Sequence, residues 1–187
     1  MRYIAVVDTE TNWNDEVMSI GIAVAEERSL RLADSRYYIL SPEYKVGGMY
    51  YSSLKPREEQ NYMCCRRSEA MSNILELFVN MGIYKVFAYN APFDFRHLPE
   101  LSMLNWYDIM RIAAYRQYNP FIPRSAECCS TGRLKRNYGV EAMTKLISGS
   151  PSYSESHNAL DDALDELEIM RMLGHPITVY ENAKIIK

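Results

Sequence analysis

Tyr3-Ile4-Ala5-Val6-Val7-Asp8-Thr9-Glu10-Thr11 is the stretch whose reading decides the fold. Its first five residues form an unbroken apolar run that stops abruptly at an acid. A strand with one wet face would alternate, so a continuous run reads as a central strand covered on both faces. Successive side chains of a strand point to opposite faces, so Asp8 and Glu10, two residues apart, project to the same side and can grip one cation between them. Ligands of α/β sheets bind at the carboxyl ends of strands, where this pair falls. Two carboxylates so close repel unless a metal or protons intervene. An acidic, solvated turn is the plain alternative for the pair taken alone.

Working outward, Ser19–Ala25 and Leu30–Leu40 read as the next two strands, and the few polar residues between them favour an antiparallel meander. Ser41–Asn61 contains Pro42, Gly47, Gly48 and Pro56 and has no period, so it reads as a long surface loop of the kind that often carries function. Ser68–Met81 repeats apolar residues at three and four and ends at Gly82, a helix with a glycine stop. Tyr84–Tyr89 returns to strand, Phe93–Met103 reads as helix and Trp106-Tyr107 as a short strand. Ile109–Tyr118, Ser125–Tyr138 and Glu141–Ile147 read as helical pieces, and Asn158–Leu173 as the strongest helix in the chain. With no internal repeat and no linker, the expectation is one α/β domain over residues 1–187, built on a mixed sheet.

Composition narrows the class. The 187 residues are 48% hydrophobic and 24% charged, with eight Gly and eight Pro scattered through them. That excludes disordered, collagen-like and low-complexity chains. No apolar run approaches the roughly 18 residues that span a bilayer, and the N-terminus lacks a signal pattern, so a soluble, cytoplasmic protein is expected. The cysteines come as two adjacent pairs, Cys64-Cys65 and Cys128-Cys129, without C-x-x-C spacing, which suits reduced structural thiols. A formal net charge of −3 hides an asymmetry. Arg111, Arg116, Arg124, Arg133, Lys135 and Arg136 fall in a stretch whose one acid is Glu127, and acids outnumber bases from residue 141 onward. Such a stretch either serves a polyanion approaching a metal site or is a solvated face.

Two further clusters bear on chemistry. Asn90-Ala91-Pro92-Phe93-Asp94 follows an apolar strand and opens a helix, where Asp94 alone would complement the helix dipole. In His157-Asn158-Ala159-Leu160-Asp161-Asp162, helical geometry separates adjacent acids. Ala159, Ala163, Leu167 and Met170 make the core stripe with Asp162 on its edge, whereas Asp161, Asp165 and Glu168 point toward water. Glu166 falls near the stripe with no evident reason. His157 lies just ahead of the helix, within reach of the pocket that Asp162 faces.

Taken together, these clusters resemble the DEDD superfamily of 3′-to-5′ exonucleases, in the branch with a histidine in its third motif, which includes the polymerase proofreading subunit and ribonuclease T. The motifs appear in order: D-x-E-T as Asp8 and Glu10, N-A-x-F-D ending at Asp94, and H-x-A-x-x-D as His157 and Asp162. The match spans about 155 residues of the chain. It departs at Asn12, where many members have Gly. The resemblance implies a ribonuclease H-like fold and two Mg²⁺ or Mn²⁺ ions, for which hard oxygen ligands are suited. It gives Asp8 the bridging position, Glu10 and Asp162 the ion nearer the attacking water, Asp94 the other, and His157 the proton from the nucleophile.

The implied substrate is the 3′ end of single-stranded DNA or RNA. Trp13 is expected to stack on a terminal base. Phe93 either does the same or packs in the core beneath the site. By resemblance the backbone amide of Thr9 or Thr11 holds the 3′ end. The alternative function is a catalytically silent nucleic-acid-binding module of the same fold, which would ordinarily lack a carboxylate or the histidine. Sequence alone leaves open DNA against RNA, a homodimer, a polymerase partner, and the role of the tail from Gly174 to Lys187.

Overall fold

A computed structural model describes residues 1–57 and 60–185. The loop expected over residues 41–61 and the tail expected over 174–187 therefore each extend partly outside the described residues. Six strands form one sheet: β1 (Tyr3–Thr11), β2 (Val17–Glu26), β3 (Leu32–Leu40), β4 (Tyr62–Cys65), β5 (Lys85–Ala88) and β6 (Asn105–Asp108), in the order β4-β3-β2-β1-β5-β6. β1, β2 and β3 are the antiparallel meander, and β4, β5 and β6 join by parallel pairing. This is the ribonuclease H-like mixed sheet that was expected.

β1 lies inside the sheet and is covered on both faces, as its apolar run requires. Ile4 and Val6 pack with Ala163, Leu167 and Met170 of α5 (Ala159–Leu173). Ala5 and Val7 pack on the other face with Ile74 and Phe78 of α1 (Arg67–Met81). The same alternation carries Asp8 and Glu10 toward α5 and Thr9 toward the opposite face. Gly21 stands opposite Asp8 in the register. A Cβ on it would overlap the Ala159 carbonyl, so the bare backbone lets the start of α5 lie directly on β2.

Three expectations are corrected, and one segment without an expectation gains a structure. Tyr62–Cys65 is a strand, β4, at the edge of the sheet. The helix expected over Phe93–Met103 is α2 (Pro92–His97) followed by a 3-10 turn, Pro99–Leu101. The helix expected over Ile109–Tyr118 is one turn, α3 (Met110–Ala113). Ser125–Tyr138 is not helical: Cys128 bridges to Leu134 and Tyr115 to Arg133, with the chain reversing at Gly132, φ 89°. A positive φ and cross-chain bridges are incompatible with a continuous right-handed helix. α4 (Val140–Ser148) is the remaining α-helix among the described residues, and a 3-10 helix, Ile177–Ala183, follows α5.

Candidate active site

β1 delivers Asp8 and Glu10 to the α5 side of the sheet. α5 returns Asp162 to them from above, and Asn158 starts that helix by accepting hydrogen bonds from the amides of Leu160 and Asp161. Carboxylate oxygens of Glu10 and Asp162 and a ring nitrogen of His157 all lie within 4.8 Å of one another. Asp94 arrives from α2 across the end of β5, and Thr9 Oγ1 donates to Asp94 Oδ1 at 2.7 Å. The structure thus brings the five residues of the three motifs to one end of the sheet. A cavity of about 440 Å³ opens there, with Asp8, Glu10 and Asp94 on its wall and Trp13, Tyr50 and Phe93 around it.

Electrostatically the cluster is a set of carboxyls crowded together in a buried place, where ionising all of them is unfavourable. Burial, then the neighbouring Asp162 and Glu155, push the Glu10 carboxyl up to about 8. Burial, followed by Glu155, Asp165 and Asp161, does the same for Asp162, again to about 8. Asp94 rises to about 7 through burial, against the opposing hydrogen bond from Thr9. Burial first, then Asp94 and Glu166, hold Asp8 well above the usual carboxylate range. Asp8 Oδ2 and Asp162 Oδ1 are buried without a hydrogen-bond partner. Buried carboxylate oxygens without a hydrogen-bond donor are costly, and they are the hard ligands a divalent cation takes. The donor set fits such a group.

The remaining residues divide. Thr9 is buried and its hydroxyl belongs to Asp94, whereas Thr11 is half-buried at the cavity wall. Trp13 is 67% exposed, leaving its face open to a partner. Phe93 is at the cavity rim, tilted against His97 with ring centroids 4.3 Å apart; Phe95 is the one that packs toward the core. Asn12 has a structural use: its Oδ1 accepts from the amides of Asn14 and Glu16, and its Nδ2 donates to the Glu43 carbonyl at 3.0 Å.

Glu166 is a carboxyl whose use the sequence reading missed. It is 1% exposed and accepts a hydrogen bond from the Tyr89 amide at 3.0 Å, tying α5 to the end of β5. The signal was its place one turn after Asp162 on the same helix face. Asp161 and Asp165 are not solvated as expected: Asp161 accepts from Arg57, Gln60 and Ser156, and Asp165 from the Tyr153 hydroxyl. Much of the basic stretch is engaged internally. Arg136 pairs with Glu127 at 2.8 Å, Arg133 lies 4.8 Å over the Tyr138 ring, and Arg116 donates to backbone carbonyls. A groove of about 870 Å³ between Ala126 and Pro151 is larger than the carboxylate cavity but contains none of the five motif residues.

By sequence, no protein-family profile and no curated protein matches the chain. Solved structures do. Exonuclease X in complex with 5′-overhanging duplex DNA is 17% identical with a TM-score of 0.58, over 95% of this chain and 98% of that one. The nuclease domain of 3′hExo, a DEDDh family member bound to rAMP, is 14% identical with a TM-score of 0.61, over 90% of each chain. A 3′-exonuclease solved for 3′-end-specific recognition of a histone mRNA stem-loop is 16% identical with a TM-score of 0.62, over 92% of this chain and 63% of that one. The chain has the ribonuclease H-like fold that the DEDDh 3′-exonucleases share.

Proposed function

We propose that this chain is a divalent-metal-dependent 3′-to-5′ exonuclease acting on single-stranded DNA or RNA ends, its activity carried by one domain over residues 1–187. The observation that carries the reading is the convergence of Asp8, Glu10, Asp94, Asp162 and His157 at one end of the sheet, with two carboxylate oxygens left without partners. Similarity of fold to exonucleases supports it.

In this reading Asp8, Glu10, Asp94 and Asp162 hold two Mg²⁺ or Mn²⁺ ions. When bound, the cations neutralise charge on the phosphodiester and make water acidic enough to attack near neutral pH. The residues of the chain do the rest. His157, beside Glu10 and Asp162, accepts the proton of the attacking water. Thr9 fixes the Asp94 carboxylate through its hydroxyl. Trp13 and Phe93 offer aromatic faces to the terminal bases, and the Thr9 and Thr11 backbone holds the 3′ end. Among the described residues no helix is long and apolar enough to cross a membrane. All four cysteines are free, which fits work in the cytoplasm, where thiols stay reduced.

The test is degradation of 3′-labelled and 5′-labelled DNA and RNA oligonucleotides, side by side, with Mg²⁺, Mn²⁺ or EDTA. The expected result is metal-dependent release of mononucleotides from the 3′ end, lost in EDTA and in Asp8→Asn. Binding of the oligonucleotide without cleavage under any metal would instead indicate a silent binding module.

A further inference from the structure

The segment from Glu43 to Leu54 holds two 3-10 turns, Glu43–Val46 and Tyr51–Leu54, and is fastened to the site on both sides. On the β1 side, Asn12 Nδ2 donates to the Glu43 carbonyl and the Trp13 amide to the Gly47 carbonyl, each at 3.0 Å. Gly48 lies so close to β1 that a Cβ would come within 2.7 Å of the Thr11 carbonyl oxygen. On the α5 side, Asn158 Nδ2 donates to the Ser53 carbonyl at 2.8 Å, and from β3 the Tyr37 hydroxyl donates to the Leu54 carbonyl at 3.1 Å. Between these fastenings Tyr50 lays its ring on His157, with centroids 3.9 Å apart and planes 18° from parallel.

His157 needs an external support. Its φ of 55° is in the left-handed region, which disfavours any residue with a Cβ, and among the described residues no hydrogen bond from the protein reaches its ring nitrogens. The Tyr50 ring covers one face of the imidazole beside Glu10 and Asp162. We propose that Tyr50 is the positioning residue for His157: a strap anchored to the first motif and to the cap of α5 holds one aromatic face against the imidazole and keeps its nitrogen aimed at the nucleophile. The proposal rests on the reading of His157 as the proton acceptor. Proton transfer needs heavy atoms about 2.6–3.2 Å apart, and a misplacement of about 1 Å costs about 100-fold in rate. The ring face does the work, so the hydroxyl is dispensable.

The experiment is a double-mutant cycle on the whole chain, cleaving a 5′-labelled single-stranded oligonucleotide in Mn²⁺. Tyr50→Leu should lower kcat about 10- to 100-fold with KM changed by less than about threefold, Tyr50→Phe should retain most of kcat, and Tyr50→Leu should cost nothing further in a His157→Ala background. An unchanged kcat in Tyr50→Leu, a rise in KM alone, or an equal loss without His157 would overturn the proposal. A second readout is independent of activity. The carbon-bound ring protons of His157 should be shifted upfield by the tyrosine face in wild type and Tyr50→Phe, and should lose that shift in Tyr50→Leu. If the wild type fails to cleave, the exonuclease reading falls, and the ring-proton shifts still decide the stack: identical shifts in wild type and Tyr50→Leu would overturn it.

Discussion

The hydroxyl of Thr9 donates to Asp94 Oδ1 at 2.7 Å across the end of the sheet, and nothing in the D-x-E-T motif announces that contact. Hydrogen bonds to charged groups contribute about 1.5–3 kcal/mol, so Thr9→Val should lower kcat/KM about 10- to 100-fold, while Thr9→Ser retains activity. The motif residues divide by role. Asp8→Asn and Asp162→Asn should nearly abolish cleavage, whereas His157→Ala should lower turnover about 10²–10⁴-fold with Mn²⁺ binding kept. In EDTA at alkaline pH, thermal melting should show Asp162→Asn no less stable than wild type, because the change removes one member of a mutually repelling set. Strand alternation and helix period place Asp8, Glu10 and Asp162, but each cluster alone also reads as an ordinary turn, dipole partner or loop, and the site was legible only from the ordered set of motifs. Tyr50 was not, since its connection to the site depends on how a long segment folds back over it.

At the level of elements, the approach of α5 to β2 at Gly21 sets the distance between the first and third motifs. Gly21→Ala forces a Cβ against the Ala159 carbonyl, and overpacking of this kind costs about 1–3 kcal/mol. Its melting temperature should fall together with its activity, because Asp162 moves off Asp8 and Glu10. Asn158 serves two elements at once, capping α5 and holding the Ser53 carbonyl. Asn158→Ala should cost about 1–2 kcal/mol by chemical denaturation and weaken activity through the strap. Long, strongly periodic pieces such as β1, α1 and α5 were readable in the sequence. β4 was not: Tyr62-Met63-Cys64-Cys65 is an apolar run of only four residues between Asn61 and Arg66, three of them exposed, too short to tell a strand from the end of a loop. The stretch 125–138 misled because spaced apolar residues imitate a helix while Gly132 turns the chain into cross-bridges.

Over the whole molecule, a sheet with helices on both faces assembles anions that its own groups do not neutralise. The carboxyls of Glu10 and Asp162, raised to about 8, bind protons more tightly in the folded chain than in the unfolded one. Their contribution to folding stability is therefore present at acidic pH and is lost as pH rises from the ordinary carboxylate range through about 8. Melting in EDTA should accordingly occur at lower temperature at pH 8 than at pH 5.5, and added Mn²⁺ should raise it more at the higher pH. The same linkage gives the most direct test of the central claim, that folding builds a cation-binding carboxylate cage. The measurement is calorimetric titration of the wild type with Mn²⁺ near pH 7, in two buffers of different ionisation enthalpy. Saturable binding that releases protons and disappears in Asp8→Asn is the result expected. Absence of binding, or binding indifferent to Asp8→Asn, would contradict the account.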